Sequence, residues 1–368
     1  SLMIPVRWNW WSKEGKPNGR MAEAVEVLEG VLRREPYHAG ANHFYIHAVE
    51  MSPTPERAIP ASERLMGIVP GAGHLVHMPG HIWMRVGDYD QVVASNIRAV
   101  EVDRDYFKQR GEVPGDYAGY YAHNIHFVAI GYQMLGNLAN ARRWAAELAA
   151  QMAKAMSGMP PEMISMGDPF LAMPVVAELR FSQWEAILKL PLLEEKQKGG
   201  RAMQHFARAV AMHKLGRKAE AVREKELFAQ VRGSVPAEWA WLNNKTSAIL
   251  AVAAEVLEAR LAPSETEAIP HWRRALELEA GLTYDEPSPW FYPVRESLGG
   301  ALLRSGDAKA AETVFREGIV QTPRNGRMLF GLKESLKAQG RQDAAMMVER
   351  EFQQAWRRSD VGMKASDL

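Results

Sequence analysis

The feature that most constrains this chain is a set of histidines recurring at fixed intervals. Seven of the eleven lie between positions 43 and 126: His43, His47, His74, His77, His81, His123 and His126. His43 to His77 and His47 to His81 are both steps of 34 residues, as is Pro36 to Pro70. His74 to His123, His77 to His126 and Gly87 to Gly136 are all steps of 49, one repeat plus an insertion of fifteen. The histidines therefore hold equivalent places in three successive copies of one unit. A unit of this length holds two helices that cannot bury their apolar faces alone, so the copies must stack.

The rest of the chain fits that reading. Residues 1–19 are aromatic and turn-rich, with Trp8, Trp10 and Trp11 ahead of Gly15, Pro17 and Gly19, and read as an irregular cap. Ser1-Leu2 before Met3 reads as a remnant of expression, and no signal segment is expected. Ala22, Val25, Leu28, Val31 and Leu32 stand at helical spacing before Pro36. Histidine-bearing repeats are expected over 20–155. The first has a helix through His43 and His47, a turn at Ser52 to Pro55 and a helix over 56–68. The second has helices over 73–86 and from Tyr89, and the third starts at Tyr120 and turns at Gly136. Gly111, Pro114 and Gly115 mark the inserted loop. A linker is expected over 156–168, further hairpins over 169–358, one of them with helices over 237–260 and 265–280, and a tail over 359–368. Gly306 to Gly340 repeats the step of 34.

Gly299, Gly306, Ala311, Phe315 and Pro323 stand where the tetratricopeptide repeat family places its small, turn, aromatic and closing residues, and the chain resembles that family. Small residues there let neighbouring helices approach to about 8–10 Å. The resemblance implies an all-α fold, a right-handed α-solenoid of about eight helical hairpins, in which the first helix of each hairpin lines a concave ligand-binding groove. ANHFYIHAVE, PGAGHLVHMPGHIWMRVGDYD, YYAHNIHF and DEPSPWFYPVRESLGGALL are similar to segments of a bacterial subfamily of such proteins with a histidine-rich N-terminal half. That likeness brings no reaction with it.

Composition removes several classes. The net charge of +1 offers no electrostatic footprint for nucleic acid. The absence of Cys excludes disulfides, thiolate nucleophiles and Cys-ligated metals. No apolar run is long enough to cross a bilayer, so a soluble protein without membrane insertion is expected. Phosphate loops, GxSxG elbows and dinucleotide fingerprints are missing.

Counted back from the turns at Pro53, Gly87 and Gly136, the histidines fall six, ten or thirteen residues before. Those offsets put them on one helical face. Glu50 continues that face in the first repeat. Three adjacent helices thus present imidazoles to one cavity, and the expected metal ligands are His43, His47, His74, His77, His81, His123, His126 and Glu50. All-imidazole sets suit copper or zinc, and two clusters of about three suit a dinuclear centre; His43, His47 and Glu50 would suit iron. Copper, iron and zinc stay open, as do oxidase and hydrolase chemistry. His43-Phe-Tyr-Ile-His47 lacks the glutamate of the zinc-protease helix. The alternative is a scaffold that binds a peptide or a protein partner, or a small molecule, in the same groove without metal. Pro79 should kink its helix. Tyr45, Tyr120 and Tyr121 are hydrogen-bonding candidates. His38 reads as structural, and His205, His213 and His271 stand outside the site. Glu286, Trp290, Tyr292 and Arg295 lie in a Pro-rich loop able to cover the cavity.

Overall fold

A computed structural model describes residues 1–111, 117–157, 159 and 161–368, with 161, 162 and 166 described by their backbone alone. The expected loop residues Pro114 and Gly115 lie outside the described residues. Among the described residues the chain is all-α apart from one two-stranded hairpin, and successive helices pack on one another in pairs. It forms two compact units, one comprising Ser1–Gly131 with Thr283–Pro287 and the other Tyr132–Leu282 with Ser288–Leu368.

The first unit carries α1 (Met21–Arg34), α2 (Ala39–Glu50), α3 (Ile59–Ile68), α4 (Gly73–His77), α5 (Pro79–Val86), α6 (Tyr89–Arg110) and most of α7 (Ala118–Met134). Ile46, Leu65, Met78 and Ile82 are completely buried in its core, with Trp10 of the N-terminal cap beside them. Each such side chain contributes about 1.5–3 kcal/mol. The cap is tied on by the Trp11 Nε1–H bond to the Ala48 carbonyl (2.7 Å). The second helix of the first repeat starts later than its apolar pattern suggests. Pro55–Ala58 form a 3-10 turn, and the α-helix starts at Ile59 with Pro60 in its first turn. A proline has no N–H to give to an earlier carbonyl, so it fits only where that donor is not needed. Gly87, with φ at 75°, ends α5, and the Asp88 carboxylate caps α6 by accepting from the Gln91 N–H (3.3 Å).

The second unit starts with α8 (Leu138–Ala155), α9 (Asp168–Leu171), α10 (Met173–Arg180), α11 (Trp184–Lys189), α12 (Lys198–Lys214) and α13 (Lys218–Gly233). After a hairpin of β1 (Ala240–Trp241) and β2 (Asn244–Lys245) come α14 (Thr246–Leu261) and α15 (Glu265–Gly281). It closes with α16 (Val294–Arg304), α17 (Ala308–Gln321), α18 (Gly326–Ala338) and α19 (Gln342–Ala355). Phe315, fully buried, sits between Gly299 and Gly331, and a methyl group at either glycine would overlap its ring. This is the close helix approach that the small residues anticipate. Two expectations change. The helix expected from 237 starts at Thr246, because Leu242 takes a left-handed φ of 54° and turns the chain into the hairpin. The stretch expected as a linker over 156–168 includes a 3-10 helix, Pro161–Met166, and α8 packs on α9 and α10.

Candidate metal centre

The site is assembled by four helices of the first unit. On α2, His43, His47 and Glu50 follow one another at offsets of four and three, beside the core stripe of Tyr45, Ile46 and Val49. The next repeat carries His74 and His77 on α4 and His81 on α5, two short helices separated at Met78 because Pro79 stops the first. Behind them, α6 contributes Asn96 and Asp103. Buried Asp103 accepts from Tyr117 Oη (3.0 Å) and from Asn124 Nδ2 (2.7 Å), and its carboxylate lies where a side chain on Gly73 would have to go. It therefore holds the start of α4 against α7, which supplies His123 and, one turn on, Phe127.

Six histidines come together as two trios. The ligating nitrogens of His43, His47 and His74 all lie within 4.8 Å of one another, and so do those of His77, His81 and His123. The Nε2 atoms of His43 and His74 are 3.2 Å apart, and those of His77 and His81 are 2.9 Å apart. The trios adjoin: ring centroids are 5.6 Å apart for His47 and His81, and 6.0 Å for His74 and His77. Their surroundings differ. Phe127 stands 4.7–5.0 Å from the rings of His77, His81 and His123 and keeps that trio dry. The first trio is half-buried, with Tyr120 on His74 and Trp8 and Trp10 edge-on to His47.

The hydrogen bonds around the rings place the protons of His77 and His47. Asn96 Nδ2 donates to the Val92 carbonyl (2.8 Å), so its Oδ1 must accept from His77 Nδ1–H (2.6 Å). Neutral His77 therefore carries a bare lone pair on Nε2. Glu50 Oε1 takes His47 Nδ1–H (2.8 Å), and Glu50 Oε2 lies 2.5 Å from His81 Nδ1 on a bent approach. One carboxylate thus serves a ring in each trio. Burial opposes its charge, but the imidazoles of His81 and His47 outweigh burial and hold Glu50 well below the usual carboxylate range. The bent approach of Glu50 Oε2 makes no hydrogen bond to His81 Nδ1, so the proton of His81 is not placed by it. The lone pair of His77 Nε2 faces His81 Nε2 at 2.9 Å, a contact that either an N–H of His81 or a metal ion held by both nitrogens satisfies.

Burial also disfavours protons on the rings. It pushes His43 down to about 4 and His74 to about 3, with neighbouring imidazoles adding to the effect, and His77 and His123 go well below the ordinary value for the same reasons. Neutral imidazole is the form that binds a metal. Bonds of about 2.0–2.1 Å place two nitrogens about 3.3 Å apart at a tetrahedral angle and about 2.9 Å apart at a right angle. The separations of 3.2 and 2.9 Å match these bites.

Two of the eight expected ligands stand apart from the trios. Glu50 sits behind the rings as an acceptor, so the two-histidine, one-carboxylate set that would suit iron is not assembled. His126 is buried outside both trios, and burial alone lowers it to about 4. Its register with His77 fails because the first helix of the second repeat is broken at Met78 while α7 runs on, so His123 takes the place beside His77 instead. Tyr45 turns away to Glu29 (2.8 Å), Tyr121 accepts from Arg104 (3.1 Å), and His38 caps α2. His205 and His271 pair with Glu224 and Glu255. The Pro-rich loop divides. Trp290 is fully buried in the second unit beside Phe206, whereas Tyr284 and Glu286, bonded to each other (2.7 Å), belong with the first unit and feel the charges of Arg85 and Glu50. Asn96, Asp103 and Phe127 escaped the sequence reading. Asn96 and Asp103 share a stripe with Val92 and Ala99 at offsets of three and four, and a polar residue on an apolar stripe was the available signal.

No family model and no curated protein matches this chain. Among solved structures, the chain is similar to the TPR domain of P58(IPK), at 10% identity and a TM-score of 0.27, over 91% of this chain and 89% of that one. It is also similar to Naa15/Naa10 bound to HypK-THB, at 13% identity and a TM-score of 0.21, over 91% of this chain and 61% of that one. Among the described residues, no helix is long and apolar enough to cross a membrane.

Proposed function

We propose that the first unit is a transition-metal-binding module, with His43, His47 and His74 as one ligand set and His77, His81 and His123 as the other. One observation carries the reading: two adjoining trios of imidazoles each bring their ligating nitrogens within 4.8 Å of one another, and in the second the lone pair of His77 Nε2, whose Nδ1–H is taken by Asn96, stands 2.9 Å from His81 Nε2. A metal ion would take both nitrogens at once, with His81 carrying its proton on Nδ1. All-nitrogen sets of this kind favour copper or zinc. Three protein ligands leave a coordination position for water or a small substrate, where a zinc ion would activate water and a copper ion would bind an oxidant.

The test is elemental analysis of protein expressed with copper, zinc and iron supplied, followed by anomalous scattering at each absorption edge from crystals grown without chelator. Stoichiometric copper or zinc at the trios is expected. A metal-free protein after supplementation, its rings bridged by a proton, overturns the proposal and leaves a groove for a peptide or a protein partner.

A further inference from the structure

Resting on that metal reading, we infer that the two trios hold two ions acting as one dinuclear centre, coupled through the Glu50 carboxylate and sharing a single small bridging anion. Rings of different trios lie only slightly farther apart than rings within a trio: 5.6 Å for His47 and His81 and 6.0 Å for His74 and His77, against 4.8–5.7 Å within the trios. Two separate mononuclear sites would not need this adjacency. Glu50 meets a ring nitrogen of each trio, Oε1 at His47 and Oε2 at His81. Outer acceptors of this kind fix the tautomer and orientation of a ligand and raise its basicity. A shared one makes the two sites respond together, because moving the carboxylate toward one ring draws it from the other.

Charge argues for the anion. Six neutral imidazoles contribute nothing against two divalent ions, the buried Glu50 supplies one negative charge, Arg85, whose Nε–H is bonded to the Glu50 carbonyl (2.9 Å), adds a positive one, and the Glu286 carboxyl that interacts with both is raised by burial to about 7. In a site of low dielectric, so large an excess draws a small anion between the ions. Hydroxide fills this place in water, formed when a bound water releases a proton to solvent. Azide is a usable probe.

The experiment loads chelator-stripped protein with copper(II) and reads metal content, the electron-spin resonance spectrum and azide titration. Two ions per chain, entering in one cooperative step, with a spin-coupled spectrum and one azide per ion pair, are expected. Glu50→Gln, whose amide cannot accept from both rings at once, should weaken loading at both trios together by about ten- to a hundredfold. One ion per chain, or two that load independently with uncoupled spectra, overturns the pairing and leaves the metal reading standing. No bound ion at all overturns both. The wild-type stoichiometry and spectrum decide the matter even if Glu50→Gln fails to fold.

Discussion

The tautomer assignment at His77 yields a prediction with a magnitude. Replacing Asn96 by Leu keeps the number and branching of the heavy atoms but deletes the acceptor of the 2.6 Å bond from His77 Nδ1. In the metal-free protein this strands a buried N–H, at a cost of about 1–3 kcal/mol. In the loaded protein it removes the group that fixes the ring, and such outer partners are worth about ten- to a hundredfold in metal affinity, or about 1.4–2.7 kcal/mol. Asn96→Asp keeps an acceptor at that place and strengthens it, so its affinity should equal or exceed that of the wild type, while burial of a new carboxylate should lower the stability of its metal-free form. The assay is competitive titration against a chromophoric chelator, paired with thermal melts of the metal-free proteins to show that each variant is folded. A folded Asn96→Leu variant that binds copper and zinc within about threefold of the wild type would refute the placement of the proton on Nδ1, and the argument for a metal between His77 and His81 would fall with it.

Further expectations follow from other parts of the molecule. His77→Ala should abolish metal at the second trio, whereas His213→Ala should leave metal content unchanged; elemental analysis reads both. His126, lowered by burial to about 4, refuses a proton that the unfolded chain accepts near pH 6.5, so its contribution is complete above that pH and is lost as pH falls toward 4. The loss is about 2 kcal/mol at pH 5, and urea unfolding at pH 8 and pH 5 should show this difference between wild type and His126→Phe; parallel pH profiles would contradict it. A methyl group at Gly73 would overlap Asp103, so Gly73→Ala should lower stability by about 1–3 kcal/mol and weaken metal retention. Gly67, with open space where a side chain would go, should tolerate Ala with a change under about 1 kcal/mol. Gly331→Ala drives a methyl group into the Phe315 ring and should destabilise by about 1–3 kcal/mol in a thermal melt.

Much of the fold was legible from position alone. Turn glycines at Gly87, Gly136, Gly216, Gly306 and Gly340, the last two a step of 34 apart, mark helical hairpins, because each takes a positive φ that other residues avoid. The same periodicity brought His43, His47, His74, His77, His81 and His123 into adjoining places, since residues in equivalent positions of stacked repeats must be neighbours. What periodicity could not give was the break at Met78 and Pro79, which rotates one part of a helix relative to the other and exchanges His126 for His123. Nor could it show that Glu50 stands behind the rings instead of among the ligands. A carboxylate three residues after a histidine is on the ring's side of the helix in either case, and only the arrival of His81 from another helix decides which oxygen meets which nitrogen. The sequence by itself determined which helices carry imidazoles and how often. Tertiary structure alone decided which nitrogens are left bare, because a ring's proton is placed by partners such as Asn96, brought there by the packing of α6 and not by any local pattern.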